Sequence, residues 1–432
     1  MPESALLSLP EDVLCSRTIP DCRVLMMART CRSMFRTLVT RRAPIHVAVR
    51  KQAMTDSRLA NAFASGMHDL QALFRITRFD CIGVLNGTRT RCVELKLCEF
   101  EELTFMHLRH LRMHRNQLRE AHLMHLLHIL TYSKDLRSFE FTQQSLMSRH
   151  MLALADAISC FSKLEVLNLQ DNFFIFDALA VVLDGVQSSR LTTLKLSSNR
   201  CEDDTTTSQL CRVIRCSCNS LMILDLSFMR LRNTALESLT GAIGACLLLE
   251  TLDLSRNHLH CGCLMDVLHK ISSCRHLQSF DWSGNRLGSA GTFVLAHHIT
   301  TNEVFRSAIR VLKLRSCDVY NGMQQLTHAL TMCTRLETLD ISCNSVLAHE
   351  VVQLFTHRPI RSLDISDNYI SDLGMRALLR LAMQSRTLLQ LQVFGNHLTK
   401  HSVAMLQRMK KARRMDITVP RVFCPCNACQ GE

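Results

Sequence analysis

Hydrophobic positions along the chain recur in one phrase: apolar, two variable, apolar, one variable, apolar, two variable, Asn or Cys, one variable, apolar. Its clearest copies begin at Leu164 (LEVLNLQDNFF), Leu191 (LTTLKLSSNRC), Leu249 (LETLDLSRNHL), Leu277 (LQSFDWSGNRL), Leu336 (LETLDISCNSV), Ile360 (IRSLDISDNYI) and Leu388 (LLQLQVFGNHL). Weaker copies begin at Thr90, Leu108, Leu136, Leu221 and Ile309, and successive starts are mostly 24 to 32 residues apart, centred on 28. Alternation at the fourth and sixth places, as at Leu252 and Leu254, predicts a short strand with two inward side chains. The second half of the period shifts to three-to-four spacing, which predicts helices over Ala178–Val186, Leu236–Ile243, Leu264–Ile271, Met323–Leu330 and Met375–Met383. A helix is about 10–12 Å across while paired strands lie about 4.8 Å apart, so stacking one of each per repeat predicts a curved array, strands inside and helices outside.

The ninth place of the phrase carries Asn116, Asn172, Asn199, Asn257, Asn285, Asn344, Asn368 and Asn396, just where the chain must leave the strand. A buried amide there can bond the free N–H and C=O groups of the turns above and below. Cys98 and Cys317 take the same place, whereas Gln144 and Met229 depart from it, which predicts two looser turns. Asp recurs at the fifth place (Asp225, Asp253, Asp281, Asp340, Asp364) with Ser at the seventh, a pattern that reads as scaffold.

This phrase is the leucine-rich repeat signature. A period near 28 with a full helix resembles the ribonuclease-inhibitor type, over roughly residues 90–422. The resemblance implies an α/β solenoid of leucine-rich repeats, a horseshoe with parallel strands on the concave face and helices on the convex face, whose inner strands and adjacent loops bind proteins. Residues 43–89 read as degenerate first repeats, with IHVAV and FRITRF as strands and a helix between Asp56 and Leu73. Met415 and Ile417 read as a last strand, and residues 423–432 form a Cys-containing tail.

Residues 1–42 read as a small helical segment. Pro10, Glu11 and Asp12 suit the first turn of one helix, and Asp21 is a good N-cap for a second that runs to Leu38. With Leu9, Pro10, Val13 and Leu14 in the opening and Cys31, Arg32 and Phe35 in the closing helix, the segment resembles an F-box. That module docks substrate receptors onto a Skp-type adaptor of cullin ubiquitin ligases, so the resemblance implies an adaptor and a cullin as partners. The stretch from Leu14 to Cys31 is about two residues shorter than the usual pattern, and Phe35 falls one place late. A helical cap over the apolar edge of the first repeat is the competing reading.

Composition narrows the function. The 432 residues are 47% hydrophobic, which excludes wholesale disorder. The first 14 residues hold Glu3, Glu11 and Asp12 and no long apolar run, and no stretch reaches the ~18 apolar residues that span a bilayer. The 21 Cys are therefore expected as reduced thiols, in the cytoplasm or the nucleus. Of the formal charge of +13, residues 1–51 supply +5 (nine basic against four acidic) and residues 400–421 supply +6 (seven against one). The second, third, fifth, seventh and eighth places, which form the strand face, balance to zero over twelve copies. A patterned but neutral face argues against nucleic acid as its ligand.

The copy from Leu221 is the exception on that face: it shows Met222, Ile223 and Phe228 where most copies show Thr, Ser or Asp. Basic copies lie on either side in sequence, with Arg109, Arg112 and Arg115 earlier and Arg310, Lys313 and Arg315 later. Together these nine are the candidate partner-binding residues. No catalytic constellation or cofactor motif is present: Gly284, Gly288 and Gly291 lack a phosphate-loop context, and His349-Glu350 lacks a second His at zincin spacing. Cys424, Cys426 and Cys429 are three thiols where a structural zinc site takes four ligands, so no metal is expected.

Overall fold

The computed structural model describes residues 45–50, 76–82, 108–115, 120–144, 146–174, 177–319, 322–357, 360–385, 387–413 and 416–418. The F-box-like segment with Leu9, Pro10, Val13, Leu14, Cys31 and Phe35, the copy at Thr90, Asn116 and the tail thiols Cys424, Cys426 and Cys429 lie outside these residues. The chain divides into two compact units, Met1–Leu221 and Met222–Glu432.

In the first unit six strands follow one another in parallel: β1 (Ile45–Arg50), β2 (Ile76–Ile82), β3 (His110–His114), β4 (Ser138–Thr142), β5 (Val166–Asn168) and β6 (Thr193–Lys195). Helices α1 (Glu120–Leu130), α2 (Met151–Ser159), α3 (Ala178–Asp184) and α4 (Asp204–Cys216) follow β3 to β6 in turn. Registers match repeat to repeat: Leu111, Phe139, Leu167 and Leu194 stand opposite one another, all fourth-place residues and all buried. β1 falls on IHVAV and β2 overlaps FRITRF. β2 pairs directly with β3, Phe79 opposite Leu111, so the rung before β3 comes from residues 76–82 rather than from the copy at Thr90.

The second unit continues the pattern with β7 (Ile223–Asp225), β8 (Thr251–Asp253), β9 (Ser279–Asp281), β10 (Val311–Lys313), β11 (Thr338–Asp340), β12 (Ser362–Asp364), β13 (Gln390–Gln392) and β14 (Asp416–Thr418). Each pairs in parallel with the next, and the fourth-place column reads Leu224, Leu252, Phe280, Leu312, Leu339, Leu363, Leu391 and Ile417. Every one is buried, as are the sixth-place residues from Leu226 to Val393. Each buried side chain of this size contributes roughly 1.5–3 kcal/mol.

Among the described residues one helix separates each strand from the next, except that two lie between β9 and β10: α5 (Asn233–Gly244), α6 (Cys261–Ile271), α7 (Gly288–Thr301), α8 (Glu303–Ala308), α9 (Met323–Leu330), α10 (Ala348–His357), α11 (Asp372–Gln384) and α12 (Lys400–Arg413). α9 matches the expected span, while α5, α6 and α11 begin three residues before their first expected apolar position. Helix α8 was not legible in the periodicity. It fills the longest step, from Leu277 to Ile309, with Asn302 capping it by accepting the Phe305 N–H at 2.8 Å. The insertion brings Phe305 edge-on to Phe280, ring centres 6.4 Å apart. Among the described residues no helix is long and apolar enough to cross a membrane.

Candidate functional site

The ninth-place asparagines form the inner column of each turn. Asn257 Nδ2 donates to the carbonyls of Leu226, Leu254 and Ser255 at 2.8–3.2 Å, and its Oδ1 accepts the N–H groups of Met229 and Leu231 at 3.0 Å. Asn285, Asn344, Asn368 and Asn396 repeat this on their own turn and the preceding one. The expected bonds to the turn above and below thus reach only backward. Asn172 and Asn199 do the same in the first unit.

The expected loosening at Gln144 and Met229 does not follow simply. Gln144 Nε2 still donates to Met113 and Thr142 carbonyls at 3.0 and 2.7 Å, although its Oε1 is buried without a partner. The Met229 turn lacks its own amide, yet Asn257 of the next repeat holds both its N–H groups and the Leu226 carbonyl. A turn that loses one amide keeps the other.

The eighth place leaves the strand in the left-handed region in every described repeat. Arg115, Gln143, Asp171, Ser198, Phe228, Arg256, Ser316, Cys343 and Asp367 have φ of 52–59°, and Gly284 and Gly395 have 70° and 68°. The N–H of this residue donates to the seventh-place carbonyl of the next repeat, as from Phe228 to Ser255 at 2.8 Å and from Gly284 to Arg315 at 2.7 Å. A non-glycine residue there costs roughly 1–2 kcal/mol, which the stacked neighbour's bond offsets.

Outside the turn runs a column of fifth-place carboxylates. Each Oδ1 of Asp225, Asp253, Asp281, Asp340 and Asp364 accepts the seventh-place Ser N–H at 2.9–3.0 Å, so each braces its own turn. Yet they also stand in register, Asp225 opposite Asp253 and Asp253 opposite Asp281. Burial, the Asp281 carboxylate and then Asp225 push the Asp253 carboxyl up to about 6, against hydrogen bonds from Ser255 that favour the charge. Burial and Asp340 raise Asp364 likewise.

The basic copy of the second unit is not an open cationic patch. Arg310 Nη1 lies 2.9 Å from Glu337 Oε1, Lys313 Nζ 3.3 Å from Asp281 Oδ2, and Arg315 Nη1 donates to Ser342 Oγ at 2.9 Å with Asp367 at 4.0 Å. Each cation meets an acid or hydroxyl one or two repeats away, which sequence position alone does not reveal. In the first unit Arg112 lies 3.9 Å from Glu140, while Arg109 and Arg115 are exposed.

Among the apolar candidates Met222 and Ile223 are half-buried and Phe228 is 52% exposed. The structure adds two aromatics that a strand-face count passed over, Phe173 at 64% and Tyr369 at 59% exposure, both at the tenth place. Tyr369 stacks on His397, ring centres 5.9 Å apart. Comparing tenth-place residues down the repeats, mostly polar or charged, would have found them.

A leucine-rich repeat family model matches residues 356–379, which span β12 and the start of α11. The fold is an array of leucine-rich repeats. No curated protein matches it. Among solved structures this repeat protein is similar to an internalin from Listeria monocytogenes, at 15% identity, covering 87% of this chain and 98% of that one, with a TM-score of 0.40. It is also similar to a leucine-rich repeat protein of Leptospira interrogans, at 13% identity, covering 89% and 98%, with a TM-score of 0.45.

Four buried thiols, Cys201, Cys263, Cys274 and Cys317, serve packing. Burial pushes Cys201 and Cys317 up to about 12 and Cys263 and Cys274 up to about 11, far from the thiolate form that reacts or binds metal. Among the described residues no group of three or more His, Cys, Asp or Glu is placed to hold a metal ion.

Proposed function

We propose that this leucine-rich repeat protein holds a protein partner on its strand face and performs no catalysis itself. The observation that carries the reading is Phe228, an aromatic 52% exposed at a left-handed position, beside half-buried Met222 and Ile223. Thr, Ser and Gln occupy the corresponding β8 and β9 places at Thr251, Ser279 and Gln278. Large apolar side chains left outward on a scaffold that does not need them there mark contact surfaces. Interleaved acids and cations on the described strand faces support protein rather than nucleic acid as the ligand.

Within that reading, the period near 28 supports a ribonuclease-inhibitor-type array, and the sequence of residues 1–42 supports a substrate receptor of a cullin-type ubiquitin ligase in the cytoplasm or nucleus. Leu9, Pro10, Val13, Leu14, Cys31 and Phe35 would dock the adaptor, because buried apolar anchors dominate such interfaces. A scaffold or inhibitor without ubiquitin chemistry is the alternative. Affinity purification of the full chain, parent and Leu9→Asp/Leu14→Asp, separates them. The receptor reading expects adaptor and cullin with the parent and neither with the variant. Absence of the adaptor from both, with the variant less stable, favours the scaffold and makes residues 1–42 a cap.

A further inference from the structure

Strands β7 to β9 present two chemistries side by side. The β7 repeat offers Ile223 and exposed Phe228, while Asp225, Asp253 and Asp281 run across the three strands in register. Lys313 of β10 meets Asp281 at 3.3 Å, but among the described residues no cation pairs with Asp253. Arg256, of the same repeat as Asp253, has its stem against Gly284, where a Cβ would meet its Cγ at 3.1 Å. Adjacent strands are about 4.8 Å apart, and places two apart on neighbouring strands are roughly 7–8 Å apart. An extended chain puts side chains two residues apart on one side at about 7 Å, so it matches the step from Ile223 to Asp253.

Resting on the protein-binding reading above, we infer that this face takes an extended basic segment of its partner, an apolar residue seated on Ile223 and Phe228 and a Lys or Arg two places along over Asp253. A cation there relieves the crowding of carboxylates that the fold imposes. The charges that act on Asp253 are Asp281 on β9, itself paired with Lys313, and Asp225 on β7. Ionised Asp253 attracts the segment at neutral pH; since its carboxyl titrates at about 6, the attraction fades below that. The chain carries +13 overall, so capture of a basic peptide reports a local acidic face and not bulk attraction.

Random twelve-residue peptides displayed on phage and selected on the full chain test this. Enriched ligands should carry Lys or Arg two places from an apolar residue. A synthetic peptide of the leading sequence should lose at least tenfold in affinity with Asp253→Asn and with Phe228→Gly. It should bind unchanged to Asp156→Asn, which removes the same charge from exposed α2. Glycine suits the φ of 54° at position 228, so the Phe228→Gly melting temperature should hold or rise while binding falls. Lowering the pH from 7.5 to 5.5 should weaken the parent and not Asp253→Asn. Ligands that are acidic or neutral, or that either variant leaves untouched, overturn this inference and leave the protein-binding reading standing. A selection that enriches nothing overturns both.

Discussion

Two columns of like residues run along the turns of the second unit, and stacking affects them in opposite ways. In the inner column each asparagine side chain both donates and accepts, so it satisfies backbone groups of its own turn and of the one before: Asn285 Oδ1 takes the backbone N–H of Asn257 at 3.0 Å while its Nδ2 donates to the Leu254 carbonyl at 2.9 Å. In the outer column each aspartate carries one sign of charge, so a neighbour of the same kind is an opponent. That opposition, added to burial, pushes Asp253 up to about 6. Repetition therefore stabilises where the group has both polarities and costs stability where it has one. Lys313 breaks the run of carboxylates at β10 and meets Asp281 at 3.3 Å.

The largest effect that tests this contrast lies in the inner column. Asn257→Ala should cost about 2–3 kcal/mol, because it strands the buried N–H groups of Met229 and Leu231. Gln144→Ala should cost about half as much, since Gln144 Oε1 is already unpartnered and only its two donor bonds are lost. Denaturant melts that rank the two the other way would break the assignment of the column.

The outer column should respond with the opposite sign. The Asp253 carboxyl rises from an ordinary 3.8 to about 6 on folding, so the folded chain takes up its proton more readily than the unfolded one. Stability from this group is present below 3.8 and is lost as pH rises through about 6. Asp253→Asn, which keeps an acceptor for the Ser255 N–H, should therefore stabilise by on the order of 1 kcal/mol at pH 7.5 and by nothing at pH 3.5. A gain independent of pH would show that charge is not the cause. The smallest effect is Lys313→Gln, a loss of about 0.3 kcal/mol that 0.5 M salt should erase, because the ammonium is part-exposed. Thermal melts at the two ionic strengths measure it.

What the sequence revealed was whatever depends on a residue and its own repeat. Leu252 and Leu254 point inward because alternation in a strand leaves no other choice, and α9 matches its expected span because its apolar spacing begins and ends with the helix. The inner asparagines were legible because only an amide does both halves of their task. What stayed hidden depends on which repeat lies alongside. The left-handed eighth place accommodates Arg, Gln, Asp, Ser, Phe, Cys and Gly alike, because a carbonyl of the next repeat fixes it and composition carries no trace. Arg310, Lys313 and Arg315 looked like one basic patch because their partners Glu337, Asp281 and Ser342 sit 27 to 32 residues away in sequence.

The backward reach of each asparagine gives the array a direction in time as well as in space. In the turn of Met229 the N–H groups of Met229 and Leu231 are held by Asn257, 28 residues beyond Met229 along the chain. During synthesis that turn must wait until those residues have left the ribosome, a lag of roughly 1–6 seconds at ordinary elongation rates. Each newly made repeat thus locks the one before it, and the growing chain always carries one unfinished turn at its leading end.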